Sequence, residues 1–282
     1  MYKGIKLTVA ASAAVLALAG CGSSAASGEE AAGSGKAPAG LVNDGQATLC
    51  IDPEYPPLEY YKDGSGGDII GFDADAGRAL AEHWGVEVKF EVTAFDGLMP
   101  GLQSRRCDMI LGGLYMSEER LQVADAAPIM NAGPAILASP AKAEGFKTPT
   151  DLCGLNVAAQ AASSNAARIK ALAEECSAAG KEAPKLTEYP KTAETVLAVL
   201  NGKADALIET NVAASYMETQ NAGKLQVAPG VFETDTQFGV FTRKGDDLSP
   251  AVAEAFKALQ ADGTLKTIAE KYNLDPEILE VN

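Results

Sequence analysis

Twice along this chain, apolar runs of strand length alternate with amphipathic runs of helix length, and a polar, proline-containing stretch separates the two blocks. The first block has a strand over residues 47–51, a loop rich in Pro, Tyr and Gly over 52–67, and a βαβα pattern over 71–123. Within it Leu80, Val86, Val88, Phe90 and Val92 fit a helix followed by a strand, and Leu98, Leu102, Met109, Ile110 and Leu111 repeat that order. A strand over 135–138 leads into the polar stretch 139–150. The second block places strands at 155–159, 186–189, 206–209 and 225–227, with helices at 166–179, 193–201 and 213–220. An apolar run at 238–242 and two helices, 251–262 and 264–272, separated by Gly263, are expected to rejoin the first block. Such alternation builds sheets covered by helices. It predicts an α/β chain of two lobes, one made of 46–138 plus 237–282 and the other of 139–236.

The N-terminus has a separate purpose. Lys3 and Lys6 precede an apolar run over 7–19, about the length of a signal-peptide core and too short to cross a bilayer. It closes on Leu18-Ala19-Gly20-Cys21, which resembles the lipobox where bacterial signal peptidase cuts and the new terminal cysteine is lipidated. The expectation is a signal peptide over 1–20, a lipid on Cys21, and a flexible tether over 21–45 built from Gly, Ser, Ala, Glu and Pro. The globule then sits on the extracytoplasmic face of the cell membrane, touching it through the lipid alone. The formal net charge is −15, and loss of 1–20 removes two lysines and no acid. So acidic a chain with no basic cluster is a poor partner for nucleic acid.

Of the five cysteines, four remain once Cys21 carries lipid, an even number in an oxidising compartment. Three pairings are open. Cys153 and Cys176 bracket one strand and helix, while Cys50 and Cys107 each lie beside an apolar strand of the first block, which favours Cys50 with Cys107 and Cys153 with Cys176. A metal site has little to stand on, since no CxxC occurs and the single histidine, His83, lies in a helix beside Trp84. No cofactor is expected.

Open α/β sheets bind small ligands at the carboxyl ends of their strands, and Gly112, Gly113, Leu114 and Tyr115 stand at such an end. Arg120 follows on a turn or helix start. Its planar, fixed donors suit a small carboxylate; pairing with Glu118 or Glu119 on the surface is the alternative.

Six segments in order, CIDPEYPPLEY (50–60), GFDADAGRALAEHWG (71–85), FDGLMPGLQSRRCDMILGGLYMSEER (95–120), DLCGLNVAAQAASSNAARI (151–169), GKADALIETNVAASY (202–216) and FTRKGDDL through ADGTLKTIAEKY (241–272), resemble the type II periplasmic solute-binding proteins. The likeness is to the amino-acid-binding family that feeds ABC importers. It implies two α/β lobes joined by two hinge crossings, near Ala138 and near Thr236, which close over a ligand. It implies a monomer that captures a small zwitterion and hands it to a permease and its ATPase, without catalysis.

On this resemblance, Arg120 forks onto the ligand's α-carboxylate, and Ser163, Ser164 and Asn165 hold the same group from the other lobe, whether or not they also cap a helix. Asp52 matches a position that meets the ligand's cationic group. Tyr55, Phe95, Gly113 and Tyr115 wall the pocket. Thr210 stands where an aspartate commonly takes the α-ammonium, with Glu209 as the neighbouring acid. That departure, and the glycines and Tyr115 at a strand end where hydroxyls are usual, keep open an ectoine-like or other amino-acid-derived solute boxed by rings. A cyclic-acid dehydratase, with Glu209 as its one candidate base, and a surface sensor on the same fold are the remaining readings.

Overall fold

The computed structural model describes residues 37–281. The proposed signal peptide, Cys21 and most of the tether lie outside these residues. The end of the expected tether is docked: Leu41 packs on the core and Val42 N donates to Asp108 Oδ1 at 2.6 Å. Asp108 also accepts from Thr48 N at 2.8 Å, so one buried carboxylate ties this approach to the first strand.

The chain opens with β1 (Gln46–Ile51) and a small antiparallel sheet of β2 (Glu54–Tyr55), β3 (Glu59–Tyr61) and β4 (Ile69–Ile70). There follow α1 (Phe72–Trp84), β5 (Glu87–Val92), α2 (Leu98–Gln103), β6 (Met109–Ile110), α3 (Glu118–Val123) and β7 (Ala124–Ala132). Next come β8 (Pro134–Ala138), α4 (Pro140–Ala143), β9 (Asn156–Gln160), α5 (Ser164–Ala178), β10 (Lys185–Tyr189), α6 (Thr192–Leu200), β11 (Ala206–Thr210), α7 (Asn211–Gln220) and β12 (Gln226–Val227). The chain returns through β13 (Thr236–Arg243), α8 (Leu248–Ala261) and α9 (Thr264–Lys271).

The strands form two five-stranded sheets, ordered β5-β1-β6-β13-β7 and β10-β9-β11-β8-β12. In each, strands of the βα units run parallel and the later neighbours antiparallel. The first core gathers Leu49, Phe72, Leu80, Trp84, Met109 and Phe256; the second gathers Ile136, Val157, Ile169, Leu172 and Ile208. α1 shows the local logic: Phe72, Ala76, Leu80 and Trp84 recur every fourth residue on the buried face, and Gly85 ends the helix in the left-handed region at φ 65°. Disulfides join Cys50 to Cys107 and Cys153 to Cys176.

The first boundary between lobes differs from expectation. β8 pairs with β11 and β12, so residues 135–138 belong to the second sheet, and the chain crosses at Gly133 rather than near Ala138. The polar stretch 139–150 misled because it looks like a linker; it is a surface run carrying α4 and the start of a 3-10 turn, Pro149–Leu152, on the second lobe. β7 escaped the apolar-run reading because its sequence, ADAAPIMNA, is rich in alanine, carries Asp and Asn, and is broken by proline. The small sheet β2-β3-β4 lies largely in what read as a loop.

At the crossings the two connecting chains touch. A Cβ on Gly133 would lie 2.4 Å from Glu233 O and 2.8 Å from the Thr234 Cα, so no side chain fits between them. Asn211 N donates to Gly133 O at 2.8 Å and fixes the first crossing to the start of α7. The variant Gly133→Val is therefore expected to lose about 1–3 kcal/mol or more from overpacking, measured as a lower urea midpoint with an unchanged slope.

Candidate functional site

Both sheets turn the carboxyl ends of their parallel strands toward the region between the lobes, as open α/β sheets do at ligand sites. Asp52 follows β1 and Tyr55 ends β2. Phe95 begins a 3-10 turn, Phe95–Gly97, ahead of α2; Gly113 and Tyr115 follow β6; Arg120 lies in α3. From the second lobe come Gln160 at the end of β9, Ser163 at the N-cap of α5, Ser164 and Asn165 in its first turn, and Glu209 and Thr210 at the end of β11.

One small cavity between the lobes is lined by Tyr55, Phe95, Gly113, Tyr115, Arg120, Gln160, Ser163, Ser164, Asn165, Glu209 and Thr210. Every candidate ligand residue except Asp52 is among them. The cavity holds about 20 Å³, room for roughly one water, and Phe95, Arg120, Ser163 and Ser164 also line an adjoining groove of about 800 Å³. Asp52 stands apart: the Phe95 amide bonds it and Glu54, Asp96 and Lys191 lie nearby.

Arg120 is partly buried, donates to Tyr115 O at 3.1 Å and sits 5.7 Å from the centre of the Phe95 ring. No described carboxylate forms a salt bridge with it; the nearby charge of Glu119 only partly offsets the burial that lowers its pKa to about 10. It remains a cation at neutral pH, with donors to spare.

Glu209 is the opposite pole. It is buried, and its Oε1 accepts from Tyr55 OH at 2.8 Å, Thr210 N at 2.8 Å and Asn165 Nδ2 at 3.3 Å, while Oε2 accepts from Thr192 Oγ1 at 3.3 Å. Burial pushes its carboxyl up, and the bonds from Thr210, Tyr55 and Thr192 pull it back. Tyr55 OH also bonds Thr210 Oγ1 at 2.7 Å, and Thr210 caps α7 by accepting from Ala213 N at 3.2 Å. Tyr55 thus links the lobes. On the rim, Lys191 and Glu54 add an exposed cross-lobe pair at 2.6 Å, worth little in water.

Ser163 accepts from Ala166 N at 3.0 Å and donates to Gln160 O at 2.7 Å, so it caps α5, whose leading amides have no partner within the helix. Tyr115 stacks on Phe238 with ring centres 5.2 Å apart. Tyr115 OH and Asn165 Oδ1, on residues that line this cavity, are buried with no hydrogen-bond partner among the described residues. Gly113 has φ 58°, and a Cβ there would lie 2.8 Å from the Tyr55 ring. Sequence reasoning weighed Glu209 as the acid beside Thr210 and as the one candidate base, and missed Gln160; the signal for Gln160 was its place at the carboxyl end of a strand, three residues before the capping serine.

Two α/β lobes that face each other across a small cavity with a cation on one side and an acid on the other have the architecture of a two-lobed solute-binding protein. The chain belongs to the bacterial extracellular solute-binding proteins, family 3, which it matches over residues 47–275. It is 30% identical over 237 residues to the L-arginine-binding protein of Pseudomonas aeruginosa, covering 81% of this chain and 88% of that one. It is 28% identical over 247 residues to the arginine-binding protein ArgT of Corynebacterium glutamicum, covering 86% and 79%. The structure of an ancestral arginine-binding protein bound to arginine matches with a TM-score of 0.71 at 28% identity, covering 81% of this chain and 98% of that one.

Burial and Glu54 push the Asp52 carboxyl up to about 6. A raised carboxyl pKa stabilises the fold below the unfolded value, and that contribution is lost as pH rises through the folded one. The melting temperature of Asp52→Asn should therefore gain on wild type as pH goes from about 4 to about 7; a constant difference would place Asp52 in water.

Proposed function

We propose that this protein is the substrate-binding lipoprotein of an ABC importer, anchored through Cys21 on the extracytoplasmic face of the membrane, and that it captures a zwitterionic amino acid between its lobes. The observation that carries this reading is that Arg120 and Glu209, a base and an acid from opposite lobes, line one small cavity. Arg120 takes the α-carboxylate by a paired hydrogen bond, joined from the second lobe by Ser163, Ser164 and the first turn of α5. Glu209 takes the α-ammonium in place of an aspartate at Thr210, and Tyr55 yields its bond to Glu209 as the ligand enters. Tyr115 OH and Asn165 Oδ1 accept from donors on the ligand's side chain. Asp52 acts from the rim, as a negative charge behind Phe95, rather than by contact. The names of the relatives put L-arginine first among ligands.

The cavity as it stands is too small for an amino acid, so capture requires the lobes to part and close again about Gly133 and the return crossing. The rings of Tyr55, Phe95 and Tyr115, with Thr210 in place of an acid, favour as the second reading a substituted cation of ectoine type, held by ring faces at about 0.5–2 kcal/mol each. Catalysis has less support: Glu209 is the one candidate base in the cavity, and its two oxygens already accept from Tyr55, Thr210, Asn165 and Thr192.

A thermal-shift screen of the protein freed of co-purified ligand, against amino acids and against betaines and ectoines, separates the readings, since a ligand of the folded state raises the midpoint by mass action. A shift with L-arginine and other free amino acids is expected; a shift confined to substituted cations would transfer the site to the second reading. Arg120→Ala should cost about 2–5 kcal/mol of binding, the usual loss when one partner of a buried charge pair is removed. The melting of the empty variant should stay close to wild type. Unchanged affinity by calorimetry would remove Arg120 from the site.

A further inference from the structure

Beneath the turn that follows β6 lie two carboxyl groups that ligand capture as described does not use. Glu59 and Asp73 are 1% and 4% exposed. They lie within hydrogen-bonding reach of each other, and neither forms a salt bridge with a described cation. Asp73 Oδ2 accepts from Gly113 N at 2.9 Å, and Glu59 Oε1 lies 3.5 Å from where a Cβ on Gly112 would stand. On its other side Gly113 meets the Tyr55 ring, whose hydroxyl reaches Glu209 and Thr210 across the cleft. A continuous path thus joins the buried pair, the turn, Tyr55 and the facing lobe.

Resting on the reading of this cleft as the ligand site, we propose that Glu59 and Asp73 are positioning residues, a carboxyl pair that shares one proton and holds the Gly112–Gly113 turn, and through it Tyr55, in the geometry that captures ligand. Two adjacent buried carboxyls cannot both ionise without a large cost. Asp73 is the anionic member, because it stands in the first turn of α1, where the helix favours negative charge, and receives the Gly113 amide. Glu59 keeps the proton: its Oε2 is buried and accepts from no described donor, and donation to Asp73 is the bond open to it. The titratable group that faces Glu59 besides Asp73 is Asp52, another carboxyl, while Lys191 and Glu54 face Asp52. Burial, followed by the charges of Asp73 and Asp52, pushes Glu59 well above the usual carboxyl range, and burial raises Asp73 to about 6. Raised values stabilise the fold at low pH and lose that contribution as pH rises through them, so the pair fails on the alkaline side.

The test compares wild type with Glu59→Gln, whose amide donates to Asp73 at every pH. L-arginine binding is measured by calorimetry, and the melting of the unliganded proteins by calorimetric scan, from about pH 6.5 to about pH 9.5. The ligand's own amine titrates equally in both and cancels in the ratio. Wild-type affinity is expected to fall by about tenfold relative to the variant across that range, the effect of one pKa unit, and its melting temperature to fall relative to the variant as well. Parallel profiles in both measurements would overturn the proposal, as would diverging melting curves with parallel affinities, since the pair would then serve the fold alone. If L-arginine binds neither protein, the ligand reading has failed separately, and repeating the comparison with whichever solute the screen identifies decides the positioning role; if no solute binds, that role falls with the site. Should Glu59→Gln not fold, the infrared spectrum of wild type carrying labelled glutamate decides: a protonated carboxyl band at neutral pH supports the pair, and its absence overturns it.

Discussion

A carboxylate buried where two lobes meet must be surrounded by donors, because an ionised group taken out of water without partners costs more than a fold of this size can spare. Glu209 meets that demand from several elements at once. Its own strand end supplies the Thr210 amide, α5 supplies Asn165, α6 supplies Thr192, and the opposite lobe supplies Tyr55. The last of these makes the closed arrangement part of the solvation of one side chain. Opening the lobes exchanges the Tyr55 hydroxyl for water, and a ligand ammonium can take the same place at similar cost. Arg120 has the complementary problem, a guanidinium beside the cavity that no described carboxylate pairs, and the two needs together are what the proposed capture of a zwitterion rests on.

That arrangement depends on how the chain passes between lobes. β7 and β13 remain paired up to Ala132 and Thr236, and the connecting residues press together at Gly133 so closely that only hydrogen fits there. Two adjacent strands that bend together permit rotation about one axis and resist twisting about others, which is what a hinge requires. The C-terminal end reinforces the first-lobe side: Asn131 Nδ2 donates to Glu280 O at 2.9 Å and its Oδ1 accepts from Gln237 at 3.1 Å, linking both crossing strands to the last turn of the chain.

Much of this was legible beforehand where periodicity is strong. α1, β5 and the alternation from β9 to α7 follow from apolar spacing alone, and both disulfides agree with the favoured pairing, in which Cys50 and Cys107 lie beside apolar strands and Cys153 and Cys176 bracket one strand and helix. β7 was not legible, because alanines and a proline make a poor strand signal and its pairing with β13 lies more than a hundred residues away. The boundary at Ala138 was misplaced for a related reason: an apolar tetrapeptide does not say which sheet it will join. Among the site residues, Asp52 was expected to meet the ligand's cationic group, yet its position immediately after β1 leaves it outside the cavity lining, bonded by the Phe95 amide.

By itself the sequence determined the two α/β blocks, the acidic balance of charge and the kinds of side chain offered at the strand ends, since these follow from local composition and period; it favoured one cysteine pairing of three, and the fold decided it. Tertiary structure decided which of those side chains meet. Arg120 and Glu209 are separated by most of a lobe along the chain and share a cavity because two sheets present their carboxyl ends to each other. The proton placed between Glu59 and Asp73 is likewise a product of folding: each is an ordinary acid in the chain, and only burial against the other changes what it can do.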